Sequence, residues 1–342
     1  MEKKITIYDI AKEAGVSPAT VSRILTGNAT VRSEKRAAVE NIIQKYDFRP
    51  NQLARGLLKN ETKTIGFILP DITNPFFSTM YFETEKSALA RGYNIILANS
   101  MSDSKNESSL LTMLMEKQVD AIVFMGGRIN TVRGRSNLLE ELNGVAKTTP
   151  LVTINGKTKG IDSYNIQTDE EDGMLRLLDY LLSLGHTRIG ILGGRNTVTA
   201  THLKYNVLRR VLKQHGLPSR EEWIIESGFS MEAGEEAANK LLSLGELPTA
   251  LIGISDLVTI GVMRVLQKHH IKVPQDISVA GFDDDYLAQV TNPALTSVSQ
   301  NYEEVGKRVV DTILDVLAGK PIEKNQIVST KLNVRDSCGP VG

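Results

Sequence analysis

The sequence predicts an all-α head and a short hinge helix, joined to a large two-lobed α/β body with parallel sheets. Three observations lead there. Basic charge is concentrated in the first sixty residues, apolar positions there recur at helical spacing, and from Thr62 onward short apolar strands alternate with amphipathic helices.

The head comes first. Thr6 is placed to N-cap a first helix, with Asp9 three residues on and Ile7, Ile10, Ala11 and Ala14 as its apolar stripe. Gly15 stops it and Val16 is a buried-type turn residue. Ser17 is placed to cap a second helix, where Pro18 at the first helical position loses nothing, because its missing N–H would have no partner there. Val21, Ile24 and Leu25 form the inner face, and Gly27-Asn28 ends the helix. Ser33 is expected to cap a third helix with the stripe Val39, Ile42, Ile43 and Tyr46. The segment NQLARGLLKN, residues 51–60, follows a break at Arg49-Pro50 and is too short to be a stable helix in isolation.

In the body, apolar strands are predicted at 64–69, 93–98, 120–125 and 150–154, and a second set at 188–192, 223–226, 249–254 and 277–281. Near-continuous apolar strands separated by helices imply parallel sheets covered on both faces, and two such sets imply two similar lobes. The expected division is a head over 1–50, a hinge over 51–61 and a body over 62–342. The body divides into a first lobe of about 62–160 and 293–322 and a second of about 161–292 and 323–342.

The 342 residues carry no formal net charge, yet residues 1–60 hold eleven Lys/Arg against six Asp/Glu, a net +5 that the rest of the chain offsets. A basic head on an acidic body suits a polyanion partner. A compact two-helix unit with a glycine-bearing turn sets its second helix where it can lie in a major groove. Pro18, Ala19, Ser22 and Arg23 face outward there, and Arg23 can form a bidentate contact with guanine. Ser17, Thr20, Asn28 and Thr30 are short donors suited to phosphates.

No apolar run reaches the ~18 residues that span a bilayer, and the N-terminus has no secretory core. A single cysteine, Cys338, forms neither an intrachain disulfide nor a C-x-x-C metal site. A cytoplasmic protein is expected, with no cofactor, no metal and no membrane partner. Nor does an enzyme fit. Gly156-Lys157-Thr158 lacks the first glycine of a P-loop, position 151 being Leu, and no H-E-x-x-H, G-x-S-x-G or Cys/His pair occurs. His269-His270 face different ways on a helix. The alternative is a soluble sugar-binding module, which would need an export signal and would not carry the head.

The runs ITIYDIAKEAGVSPATVSRILTG, YDFRPNQLARGLL, TIGFILPDITNPFF, LSLGHTRIGILGG, HGLP, VPQDISVAGFDD and LTSVSQ resemble the LacI/GalR (lactose-repressor/galactose-repressor) family over nearly the whole chain. The resemblance implies a helix-turn-helix head, a hinge helix and a periplasmic-binding-protein-like (type I) sensor with three crossovers. It implies a repressor acting as a homodimer on pseudo-palindromic double-stranded operator DNA, the leucine heptad tail of family tetramers being absent from RDSCGPVG. Effector between the lobes would alter their mutual angle and so the spacing of the two hinges. The family's groove readers fall on Pro18, Ala19 and Arg23, with Tyr8 and Ser17 near the backbone. Asn51 and Ala54 lie in the hinge, and Leu57 corresponds to its minor-groove wedge. The family's effector contacts fall on Asn74, Phe76, Asn155, Lys204, Phe229, Ser255, Asp256, Asp283, Gln300 and Tyr302. Paired hydrogen-bonding side chains and aromatic faces suit a sugar, sugar acid or sugar phosphate. In two places the chain departs from the pattern. Lys204-Tyr205-Asn206-Val207-Leu208 replaces the usual R-x-x-G-F, exchanging a planar fork for a point charge. The preceding loop Arg195-Asn196-Thr197 lacks the usual Pro and brings an Arg able to reach an anion.

Overall fold

The computed structural model describes residues 5–25, 31–48, 61–133, 136–156 and 160–341. By contacts the chain forms two units, residues 1–62 and 63–342.

In the head, α1 (Ile7–Glu13) begins at Thr6 with a reciprocal capping box: Thr6 Oγ1 accepts the Asp9 N–H, and Asp9 accepts the Thr6 N–H at 2.9 Å. Gly15 takes φ +62°, a left-handed turn that glycine adopts without strain. α2 (Pro18–Leu25) starts behind Ser17, whose Oγ accepts the Thr20 N–H at 3.2 Å. α3 spans Ser33–Lys45. Here the expectation needs correcting, because Ser33 is the first helical residue and Arg32 takes the cap position without a side-chain bond. Ile10, Ala11, Val21 and Val39 are buried together, one contact set from all three helices.

The body holds two six-stranded sheets. The first has strand order β11-β5-β4-β3-β1-β2, all parallel, built from β1 (Thr64–Leu69), β2 (Asn94–Asn99), β3 (Ala121–Met125), β4 (Leu151–Ile154), β5 (Tyr164–Thr168) and β11 (Asn325–Val328). Its helices are α4 (Pro75–Leu89), α5 (Ser104–Glu116), α6 (Ser136–Ala146) and α12 (Tyr302–Leu317), the last packed on α4. The second has order β12-β10-β9-β8-β6-β7, from β6 (Ile189–Leu192), β7 (Ile224–Ile225), β8 (Ala250–Gly253), β9 (Ser278–Asp283), β10 (Thr296–Ser299) and β12 (Lys331–Asn333). Only β12 runs antiparallel. Its helices are α7 (Glu170–Ser183), α8 (Thr199–Gln214), α9 (Met231–Leu242), α10 (Asp256–Lys268) and α11 (Tyr286–Val290).

Buried runs such as IVF in β3 and VAGF in β9 form the sheet centres, with helices on both faces. The chain therefore crosses between lobes near residues 168–170, 299–302 and 328–331. This corrects the expected lobe limits: 164–168 and 325–328 belong to the first sheet, and 296–299 to the second. The reason is compositional. β5 (YNIQT), β10 (TSVS) and β11 (NQIV) are short and polar, so they do not read as apolar strands. Among the described residues, no helix is long and apolar enough to cross a membrane.

Candidate functional site

A cavity of about 590 Å³ lies between the two lobes. Its walls come from residues at or just beyond the C-terminal ends of strands in both sheets: Pro70 and Asp71 after β1, Met125 to Arg128 after β3, Asn155 after β4, Arg195 after β6, Ser255 after β8 and Asp283 ending β9. Parallel sheets leave a crevice at that end, where loops diverge and side chains are free to face a ligand.

Seven of the ten expected effector residues line it: Asn74, Phe76, Asn155, Lys204, Phe229, Ser255 and Asp283. Asn74 caps α4, its Oδ1 accepting the Phe76 N–H at 3.0 Å. Phe76 packs edge-on to Phe77, ring centroids 5.1 Å apart. Ser255 caps α10, its Oγ accepting the Val258 N–H. Asn155 Oδ1 accepts the N–H of Thr168 at 2.8 Å, and its buried Nδ2 has no partner.

The other three stand elsewhere. Asp256 is fully buried, accepting the Ser297 hydroxyl at 2.6 Å and the Asp285 N–H at 2.9 Å, so it clamps α10 to strand β10 and to the turn after β9. Gln300 is also fully buried. Its amide donates to Asp283 Oδ1 at 3.0 Å and Glu170 Oε1 at 3.2 Å, and its Oε1 accepts the Thr168 hydroxyl at 2.6 Å. Gln300 thus ties two of the crossovers together beneath the cavity. Tyr302 lies behind Phe76, centroids 6.0 Å apart, with its buried hydroxyl unpartnered.

The floor is a polar chain. Lys204 Nζ donates to Glu170 Oε1 at 3.1 Å and sits 3.8 Å from the centroid of the Phe282 ring. The charge of Lys204 is thus already paired within the cavity wall. Burial pushes the Asp283 carboxyl up to about 8, against the opposing pull of Lys204 and the Gln300 hydrogen bond. Asp283 also holds φ +109° and Asp284 φ +57°, left-handed backbone that costs strain in a non-glycine residue.

Several lining groups went unseen in the sequence. Arg128 donates through Nε to Glu107 at 2.6 Å, through Nη2 to Ser104 O at 2.8 Å and to Ser108 Oγ at 2.9 Å, and through Nη1 to Glu141. Burial raises the Glu107 carboxyl even beside this guanidinium. Gly127 is required here, since a Cβ would fall 1.8 Å from Glu107 Oε1. Across the cavity mouth the lobes touch: Val132 N–H donates to Thr197 O at 2.8 Å, Thr199 N–H to Asn130 O at 3.2 Å, and the Thr199 hydroxyl to Asn130 Oδ1. The signal available for these residues was their place just after an apolar strand.

In the head, Tyr8, Ser17, Ala19 and Arg23 are exposed, and Pro18, Thr20 and Ser22 partly so. One face of α2 therefore presents Ala19 and Arg23 to solvent, with Pro18 and Ser22 partly exposed beside them. Asn28, Thr30, Asn51, Ala54 and Leu57 lie outside the described residues.

Residues 6–51 match the family described as bacterial regulatory proteins, lacI family, and residues 178–338 match the periplasmic binding protein-like domain. The chain is 36% identical over 303 residues to catabolite control protein A of Priestia megaterium, covering 88% of this chain and 89% of that protein. It is 32% identical over 339 residues to the HTH-type transcriptional regulator DegA of Bacillus subtilis (strain 168), covering 99% of each. Its fold is similar to that of the Lac repressor dimer bound to operator and the anti-inducer ONPF, with TM-score 0.87 and 22% identity over 98% of this chain and 99% of that one.

Proposed function

The chain belongs to the LacI family of bacterial transcription regulators, and from that premise we propose that it represses transcription from a pseudo-palindromic operator under control of a sugar or sugar derivative. The observation that carries the reading is the pairing, in one chain, of a head matched to this family with a cavity walled by the strand ends of two lobes. The effector is held by the strand-end residues, with Phe76 and Phe229 against apolar ring faces and Asn74, Asn155, Ser255 and Asp283 on hydroxyls. Tyr8, Ser17, Pro18, Ala19, Thr20, Ser22 and Arg23 meet DNA, Arg23 reading a base edge.

The protein acts in the cytoplasm as a homodimer, because one head reads few base pairs and two-fold symmetry doubles the site. The Lac repressor is itself a dimer on its operator, which supports that arrangement. The mechanism is a coupling between two sites. The three crossovers form a hinge, and Gln300 joins Thr168, Glu170 and Asp283 across it. A ligand that alters this network shifts the lobe angle, and operator affinity changes reciprocally.

The test is selection of bound duplexes from a random pool. The full chain should enrich a two-fold symmetric sequence, and a chain lacking residues 1–60 should enrich none. A panel of sugars, sugar acids and sugar phosphates is then titrated against that operator. An effector should change affinity by roughly 5- to 150-fold. Enrichment of no sequence by the full chain overturns the reading.

A further inference from the structure

Helix α8 begins at the cavity with no side-chain cap, because its cap residue is Val198. Of its first N–H groups, that of Thr199 is used by Asn130 O across the mouth, while those of Ala200 and Thr201 have no partner among the described residues. A helix start carries partial positive charge and aims its free N–H groups outward along the axis. Thr201 is fully buried, lines the cavity, and its Oγ1 has no hydrogen-bond partner. That hydroxyl packs against Gly194, where a Cβ would lie 2.6 Å from it.

Two arginines border the same space, Arg195 from the second lobe and Arg133 from the first. Both are exposed, and neither has an ion-pair partner among the described residues. The carboxylates of the lining, by contrast, are engaged. Asp71 accepts from Thr73, Asp103 caps α5, Glu107 holds Arg128, Glu170 holds Lys204, and Asp283 accepts from Gln300. What the cavity leaves open near α8 is a set of donors and positive charge.

We propose that the N-terminus of α8, with Thr201, Arg195 and Arg133, is an oxyanion subsite that takes the phosphate group of a phosphorylated polyol. The proposal rests on reading the cavity as the effector site. Two N–H groups, one hydroxyl and two guanidiniums exceed what the two oxygens of a carboxylate accept, and suit the three terminal oxygens of a phosphate ester. Lys204, one turn further along, is neutralised by Glu170 and leaves the anion to the helix start. Because Arg133 and Arg195 come from opposite lobes, a phosphate between them also favours the closed cleft.

The test uses the full chain and inorganic phosphate as probe, with sodium acetate and sodium chloride at matched ionic strength. Thermal unfolding and 31P line broadening are read together. Phosphate should protect the body and broaden, with acetate and chloride giving little. Arg195→Ala and Thr201→Val should each raise the half-protecting phosphate concentration by about tenfold or more, whereas Arg176→Ala, a surface change on α7, should leave it unchanged. Equal protection by acetate overturns the assignment to phosphate. An effect that survives Arg195→Ala combined with Thr201→Val arises elsewhere, for instance at the basic head, and overturns the subsite. So does the absence of any phosphate effect. Operator selection and modulation by neutral sugars would be untouched by these failures, so the regulator reading stands or falls separately.

Discussion

Arg128 and Lys204 are both cations buried in the cavity wall, one in each lobe, and they are neutralised in opposite ways. Arg128 spends its donors on Glu107, Glu141, Ser104 and Ser108, all within the first lobe. Lys204 has one carboxylate, Glu170, and that oxygen is shared with Gln300, which continues to Asp283 and Thr168. The first arrangement is a closed unit that fixes the shape of one wall. The second runs along the crossovers, so its geometry depends on how the lobes sit. A buried charge with every donor matched makes a rigid part, while a buried charge in an open chain makes a responsive one.

The largest expected effect breaks the rigid unit. Glu107→Ala leaves the Arg128 guanidinium buried against a single, partly exposed carboxylate, and should lower body stability by about 3–5 kcal/mol in denaturant titration. A loss below about 1 kcal/mol would mean that water or Glu141 replaces the partner and that the wall is not rigid.

At the hinge, Lys204→Ala breaks the pair with Glu170, whose oxygen also holds Gln300 beside Asp283; it should weaken effector binding indirectly, by about fivefold or more, and leave operator binding without effector nearly intact. Calorimetry on the variant reads it. Pairing Lys204→Met with Glu170→Gln should recover most of the stability lost by Lys204→Met alone, because the second change removes the orphaned charge. Unchanged effector affinity would show that the ion pair is structural only.

Asp283 supplies a pH test of the same network. Its carboxyl is held up to about 8, mainly by burial, so between about pH 4 and pH 8 the folded state keeps a proton that the unfolded chain has released. That contribution is complete below the unfolded value and is lost as pH rises toward 8. Melting of the wild type should therefore decline relative to Asp283→Asn across this window and run parallel to it above. Parallel curves throughout would place Asp283 in contact with solvent.

Smallest is the contact across the mouth. Thr199→Ala removes the hydroxyl bond to Asn130 but keeps the backbone bonds. It should weaken effector binding by about 0.5–1.5 kcal/mol and leave body stability almost unchanged. An equal loss in both would make this contact part of the fold rather than of closure.

The readable parts of this protein are those whose physics is local. The Thr6–Asp9 capping box, the Ser17-Pro18 helix start and the apolar strands of both sheets follow from neighbours a few residues apart, and each was expected where it occurs. Seven cavity residues were legible through resemblance to the LacI/GalR family, because strand ends and the loops and helix starts that follow them keep their place when side chains change. Asp256, Gln300 and Tyr302 stand behind the lining of this cavity, because a position near a crevice does not distinguish the residue that faces it from the one beneath.

By itself the amino-acid sequence determined the three-helix head, the two α/β lobes, and the concentration of positive charge in the first sixty residues. Only the tertiary structure decided which lobe holds β5, β10 and β11, because short polar strands are recruited by their sheet partners and not by their own hydrophobicity. It also decided the state of each cation. Lys204 is neutralised by a carboxylate 34 positions earlier in the chain, and Arg128 by one 21 positions earlier. Spacing in sequence carries no information about such pairs. The charge of a buried site is set by which distant groups the packing brings within hydrogen-bond reach.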